Sequence, residues 1–346
     1  MYKKIIQTLN NFGFPRMIIT LFLTILLITS SALGISLLPL ISVMLVRVGM
    51  SAIFVLAMVP SIACGIGLNF GLSLGIICGI IGALISIELN LAGFPALFIA
   101  IMIAVPLAAI IGYGFGALLN KVKGSEMAVS TYMGFSAVSL ACIGWLILPL
   151  KSPKMVWPIG KGLRVTISLY GGLSKVLNNF LSIRIGSLTI PTGLLLFVLI
   201  MGGITWLFLR SKTGIAMKTV GANPLFAVAS GLNVDKYRIL GASLSTILSA
   251  IGIIVYAQSL GLLQLYGAPM YMGFAAVAGI LIGGATVNKV LISQVFIGTF
   301  LFQSMLVVSL PVANKIMNIP DLAEIARVIT SNGVILYALT KIKENA

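Results

Sequence analysis

Few side chains in this sequence can do chemistry, and their types bound what that chemistry is. Among 346 residues there is no histidine, and Asp and Glu together number 6. Cys64, Cys78 and Cys142 are scattered through apolar runs, which argues against a disulfide framework and against a Cys/His metal site. No Gly-x4-Gly-Lys-Ser/Thr pattern occurs, so the chain has no phosphate-cradling loop of its own and does not hydrolyse ATP unaided. Nucleophile-elbow and metalloprotease motifs are likewise missing. The polar residues left to weigh are Asn69 and Ser73 in "GIGLNFGLSLG", and Glu126 and Thr131 in "KVKGSEMAVSTYMGF". Each either lines a polar pathway or has a plainer role: a helix boundary for Asn69 and Ser73, an interfacial charge for Glu126. Asn69 and Ser73, one helical turn apart, are expected to share a face. Glu88, Asp321 and Glu324 read as solvated or locally paired, the last two near Lys315 and Arg327.

The elements that position these residues are set by composition. Hydrophobic residues make up 60% of the chain and charged ones 8%, a ratio that cannot supply a water-facing surface. Apolar runs of roughly eighteen or more residues recur from Met17 almost to the C-terminus, each long enough to cross the bilayer as a helix. The pattern predicts an all-α polytopic domain over 1–346 with ten spans, approximately 17–38, 48–64, 68–87, 93–119, 127–149, 190–209, 239–259, 270–286, 290–310 and 326–340. No carboxylate, histidine or lysine falls mid-span in the pairings that ion-coupled carriers use, which weighs against secondary transport. "GIGLNFGLSLG" breaks one long apolar run, and irregular backbone at membrane depth survives only when buried in protein or facing a water-filled cavity. Gly241, Ser243, Ser245, Thr246, Ser249 and Gly252 either let helices pack closely or line a pathway.

The net charge of +16 resides in short clusters between spans rather than on one soluble face, so it orients the protein instead of binding nucleic acid. Counting Lys and Arg places both termini on the cytoplasmic side, with the N-terminal "MYKKIIQTLNNFGFPR" as a retained tail. The counterweight is the basic segment 150–189, read as extracytoplasmic. Within it Leu169, Leu173, Val176, Leu177, Phe180 and Leu181 fall on one helical face, which predicts a helix lying in the outer interface or, as the alternative, one that caps the pathway or touches an extracellular partner. Five spans on each side of that segment give two halves of opposite topology, the arrangement of an inverted repeat.

"VGANPLFAVASGLNVDKYR" is the one stretch that reads as soluble sequence. Asn223 can cap a helix, Pro224 suits its first position and Gly231 its left-handed stop, so a helix over 224–230 is predicted. At about 1.5 Å per residue such a helix is roughly 10 Å long, too short to span or to stand alone. Leu225, Phe226, Val228 and Ala229 lie between Arg210, Lys212 and Lys218 before and Lys236 and Arg238 after. That surface either docks another protein or packs beneath its own membrane domain.

With these residues in view, the stretch through "RILGASLSTILSAIGIIVYA" resembles the cytoplasmic loop and following span of permease subunits of bacterial ATP-binding-cassette importers, from the ribose-like and branched-chain amino acid-like family for simple sugars and nucleosides. The family's coupling helix matches at Gly221, Asn223, Pro224, Ala227, Gly231, Leu232 and Lys236, flanking Leu225 and Phe226. "LIGGAT" is similar to a late family segment, with Asn288 and Lys289 in place of its usual glycine pair, and "GSEMAVSTYMGF" resembles the nucleoside-like branch with Glu126 in its glutamate position. "LNFGLSLG" has that branch's Asn-Phe-Gly but Leu72 and Ser73 where an acid is usual. The resemblance implies an inner-membrane permease that is not itself an enzyme and binds no cofactor. ATP and Mg would sit on a partner cytoplasmic ATPase, with an extracytoplasmic substrate-binding protein and a second permease copy as further partners. An ion-driven secondary carrier is the alternative.

Overall fold

In the computed structural model residues 14–157, 162–287 and 289–317 are described, with isolated positions between 325 and 336. Among them are α1 (Phe14–Ala32), α2 (Leu37–Ala63), α3 (Leu72–Glu88), α4 (Gly93–Lys121) and α5 (Glu126–Ile147). After a long connection with β1 (Thr166–Ser168), α6 (Val176–Asn179), β2 (Ile183–Ile185) and β3 (Leu188–Ile190) come α7 (Thr192–Arg210), α8 (Lys212–Ala222) and α9 (Pro224–Ala229). The chain then forms α10 (Val234–Leu260), β4 (Leu262–Gln264), α11 (Gly267–Ile282) and α12 (Ile292–Met317). Six of these helices are long and apolar enough to cross a membrane, and α1, α3 and α11 supply shorter apolar helices. The result is a polytopic helical membrane protein.

At the centre stand α2 and α10, of 27 residues each. Every residue of α2 from Gly49 to Ala63 is buried, and so is α10 from Ser249 to Ser259. Around them α4 and α3 pack on α10, while α12 joins α2 to α1 and α11. The small residues explain the closeness. A methyl at Gly75 would lie 2.1 Å from the Thr246 carbonyl oxygen, and one at Gly112 would lie 2.7 Å from the Ser243 Cα. Backbones meet here without side chains between them, which is how helices associate when lipid removes the hydrophobic drive. Ser245, Thr246 and Ser249 are fully buried in these contacts, as the packing reading of that span requires.

The break predicted at "GIGLNFGLSLG" lies inside the bundle. The α2 helix ends at Ala63 and α3 begins at Leu72, with Gly65 and Gly67 at φ +78° and +86° in the turn between. Asn69 bonds Ser245, which lies eleven residues along α10 from Val234, about 16 Å at 1.5 Å per residue, so the turn reaches far into the bundle. A second break, Gly261 to Tyr266 with β4 inside it, precedes α11. The two helix beginnings meet, with Ser73 Oγ donating to the Pro269 carbonyl at 2.6 Å and the Phe70 and Phe274 rings 5.4 Å apart.

Several expectations are corrected. The second span starts at Leu37, not near residue 48, so Arg47 lies within a transmembrane helix; the apolar residues on both sides of it outweigh the local cost of one charge. Asn69 and Ser73 do not share a helical face, because Asn69 is in the turn before α3 and Ser73 in its first helical turn. Of the interfacial helix predicted over 169–181 only the single turn of α6 is formed. Gly171, at φ +74°, and Gly172 interrupt it, β1 pairs antiparallel with β4, and β2 pairs with β3. Leu169, Leu173 and Leu177 turn into the core while Phe180 and Leu181 are exposed. The segment is a folded cap, tied down by Glu88, which accepts the Lys151 and Ser152 N–H groups, and by Gln258, which accepts that of Leu177. The predicted span 326–340 and the N-terminal tail before Phe14 lie outside the fully described residues, as do Lys161, Asn288, Asp321, Glu324 and Arg327.

Candidate functional site

The stretch from Ser211 to Arg238 is built from successive caps. Ser211 Oγ accepts the Gly214 N–H at 3.2 Å and opens α8. Asn223 Oδ1 accepts the Phe226 N–H at 3.0 Å, with Pro224 next to it at the first helical position, where no donor is missed. The helix that follows ends at Ala229, with Ser230 as its cap, one residue short of the predicted end. Gly231 stands at φ +78°, its N–H donating to the Val228 carbonyl, while the Leu232 N–H donates to that of Ala227 at 2.9 Å. These two bonds close a Schellman stop, for which a glycine is best suited. Asn233 Oδ1 then accepts the Lys236 N–H at 3.0 Å and starts α10, leaving the Lys236 side chain in solvent.

This small helix has one buried and one open face. Ala227 is fully buried, whereas Leu225, Phe226 and Val228 are 84%, 59% and 62% exposed. Lys212, Lys218 and Lys236 stand exposed around them, and Arg210 lies over the Trp206 ring at 3.9 Å. The short helix thus leaves three apolar side chains exposed in a stretch flanked by exposed lysines.

Gly221 connects that surface to the interior. A methyl on it would lie 2.3 Å from the Ala63 carbonyl oxygen and 2.8 Å from the Gly65 nitrogen. The end of α8 therefore sits directly on the end of α2, where the turn to Asn69 begins. Beside it, Arg238 is 6% exposed and pairs with Glu126. The same guanidinium donates to Asn120 Oδ1 at 2.9 Å and to the Gly65 carbonyl at 3.3 Å, while Glu126 accepts the Gly124 N–H at 2.8 Å. One buried pair thus joins the ends of α2, α4, α5 and α10. The neighbouring Lys123–Asp235 pair, at 2.7 Å, is half exposed and worth little.

The four residues weighed as pathway candidates are engaged within the protein. Asn69 Nδ2 donates to Ser245 Oγ at 3.0 Å and its Oδ1 accepts the Gly71 N–H at 2.8 Å. Ser73 is spent on Pro269, Glu126 on Arg238, and Thr131 Oγ1 on the Met127 carbonyl at 2.8 Å. Ser73 sits at the junction of α3 and α11 and Asn69 just before it against α10, while Glu126 and Thr131 belong to α5, whose Gly134 packs on Phe70 and Ser73. Two residues escape the sequence reading, which takes Arg238 as a basic flank of the short helix, whereas it is buried, and does not weigh Arg47. Arg238 is 112 residues from Glu126, a pairing that no local signal announces. Arg47 had a signal, an apolar run continuing on both sides of it. It lines a cavity of about 190 Å³ with Ser51, Tyr256, Thr299 and Gln303.

No curated protein and no solved structure matches the chain. A family model described as "Branched-chain amino acid transport system / permease component" matches residues 17–338. That span takes in the paired helix starts, the buried Arg238–Glu126 cluster and the short exposed helix, and the chain belongs to this family of ABC-type permeases, transport components for small solutes.

Proposed function

We propose that the chain is the membrane-spanning subunit of an ATP-driven importer for a small polar solute of the simple sugar or nucleoside class. The observation that carries this is the two-turn helix Pro224–Ala229, whose Leu225, Phe226 and Val228 are exposed while Gly221 rests on the end of α2. In this reading a cytoplasmic ATPase, which supplies ATP and Mg, receives Leu225 and Phe226. Movement of the helix on ATP binding passes through Gly221 and Arg238 to the turn that carries Asn69. Residues 210–238 are the coupling loop of a single permease domain over 1–346. Gly231, Ala227, Asn223 and Pro224 shape the loop, and Lys236 adds charge to the docking surface.

The rest follows from the same placement. Basic residues around Lys212 and Lys218 favour a cytoplasmic side for the loop and for both termini, in a bacterial inner membrane. The folded segment 150–189 then faces outward, where a substrate-binding protein delivers the solute. Helices of 27, 17 and 29 residues in α2 to α4 are echoed by 27, 16 and 26 in α10 to α12, which supports two inverted repeats. A second copy of the chain completes the pathway.

Co-expression with the cognate ATPase tests the reading. Uptake into vesicles should require ATP and the ATPase. Uptake driven by an ion gradient without the ATPase would replace this proposal with a secondary carrier.

A further inference from the structure

Arg47 is the charge least explained by the coupling machinery. It sits ten residues into α2, about 15 Å along the axis from Leu37, in a segment otherwise apolar. A charge at that depth is costly and persists where it meets a partner or a wet cavity. Neither ion pair among the described residues involves it. Instead it stands where three cavities adjoin.

The innermost, about 190 Å³, places Arg47 and Ser51 from α2 with Tyr256 from α10 and Thr299 and Gln303 from α12. A cleft of about 550 Å³ continues past Arg47, Tyr256 and Gln303 toward Leu310 and Pro311. Another of about 420 Å³ leads past Arg47 to Lys175, Asn178 and Arg184 of the outer segment. The two larger clefts each fall within the size usual for small-molecule sites, roughly 300–1,000 Å³. Among the described residues the three walls hold three cations and no carboxylate. The polar groups around the guanidinium are hydroxyls and an amide, which can donate to an acceptor but cannot neutralise the cation. A planar guanidinium facing such a space is suited to two parallel bonds with an oxyanion.

We propose that the cleft around Arg47 is an oxyanion site that takes the carboxylate or phosphate group of a small acidic solute, such as a sugar acid, entering from the outer face past Lys175 and Arg184. The assignment to a solute rests on the transport reading above and narrows its small polar solute to an acidic one. The phosphate of an anionic lipid offers the same chemistry, so the test separates the two sources.

The permease would be purified into nanodiscs of phosphatidylcholine alone or with phosphatidylglycerol. Binding of glucuronate, glucose and inorganic phosphate would be followed by calorimetry and by thermal melting. In neutral lipid, glucuronate or phosphate should bind and glucose should not. Arg47→Gln should weaken that binding by about tenfold or more, the usual loss for a hydrogen bond to a charged group. Gln303→Ala, which leaves the charge in place, should weaken it less and keeps the test open if Arg47→Gln melts early. Binding unchanged in both variants, or no binding of either anion in either lipid, overturns the site. Stabilisation that needs phosphatidylglycerol and ignores the added anions assigns the cleft to lipid and overturns the solute. Because the ATPase is not needed, failure here leaves the ATP-driven reading standing, and loss of ATPase association leaves this one standing.

Discussion

At the scale of single residues, two contacts bear the mechanical argument. Gly221 has no room for a methyl against Ala63, so Gly221→Ala must push α8 away from the end of α2 or strain both. Overpacking of this kind costs about 1–3 kcal/mol, and the account expects lower melting temperature together with ATP hydrolysis uncoupled from uptake. The Arg238–Glu126 pair is buried, with side chains 8% and 14% exposed. Removing one partner leaves a charge without compensation, an effect of about 3–5 kcal/mol, so Glu126→Gln should destabilise strongly. Arg238→Met with Glu126→Leu should recover much of that loss in a double-mutant cycle measured by denaturation. Additive effects would mean that the pair is not coupled.

At the scale of elements, the helix Pro224–Ala229 separates stability from partner binding. Asn223→Ala removes a cap and should cost about 1 kcal/mol, since the Phe226 N–H loses its acceptor. Phe226→Asp touches an exposed position and should change stability by no more than about 0.5 kcal/mol. Its effect belongs to association instead. This element was legible in the sequence almost to the residue, because a cap, a proline and a glycine specify a short helix without help from the rest of the fold. The outer segment was not. Its leucines have helical spacing, yet Gly171 and Gly172 break the helix and pairing with β4, nearly 100 residues later, decides the backbone. The start of α2 was missed for a related reason. The boundary predicted near residue 48 leaves Arg47 in the connection before it, whereas the apolar residues on both sides of it continue the helix from Leu37.

At the scale of the whole molecule, the structure is two ends joined by α2 and α10. One end holds Gly65, Gly221, Arg238 and the exposed helix, and the other holds Glu88, Gln258 and the strands. The polytopic helical class was readable from composition, because the bilayer restricts a chain to few solutions, and the permease family from the resemblance carried by the loop and the span after it. The meeting of α3 with α11 was not, since Ser73 and Pro269 are brought together by the folded bundle alone. Sidedness can be checked directly. Cysteines placed at Lys212 and Lys154 should react with a membrane-impermeant maleimide from the cytoplasm and from the outside respectively; labelling from one side at both would refute the topology.

Leu225 and Phe226 are exposed, and what they touch decides whether this helix couples to an ATPase. The decisive measurement is co-purification of the cognate ATPase with the intact permease and with Phe226→Asp, each shown by thermal melting to be folded. The account predicts a stoichiometric complex for the first and loss of the ATPase, with loss of uptake, for the second. Equal ATPase recovery and equal uptake from both would contradict it.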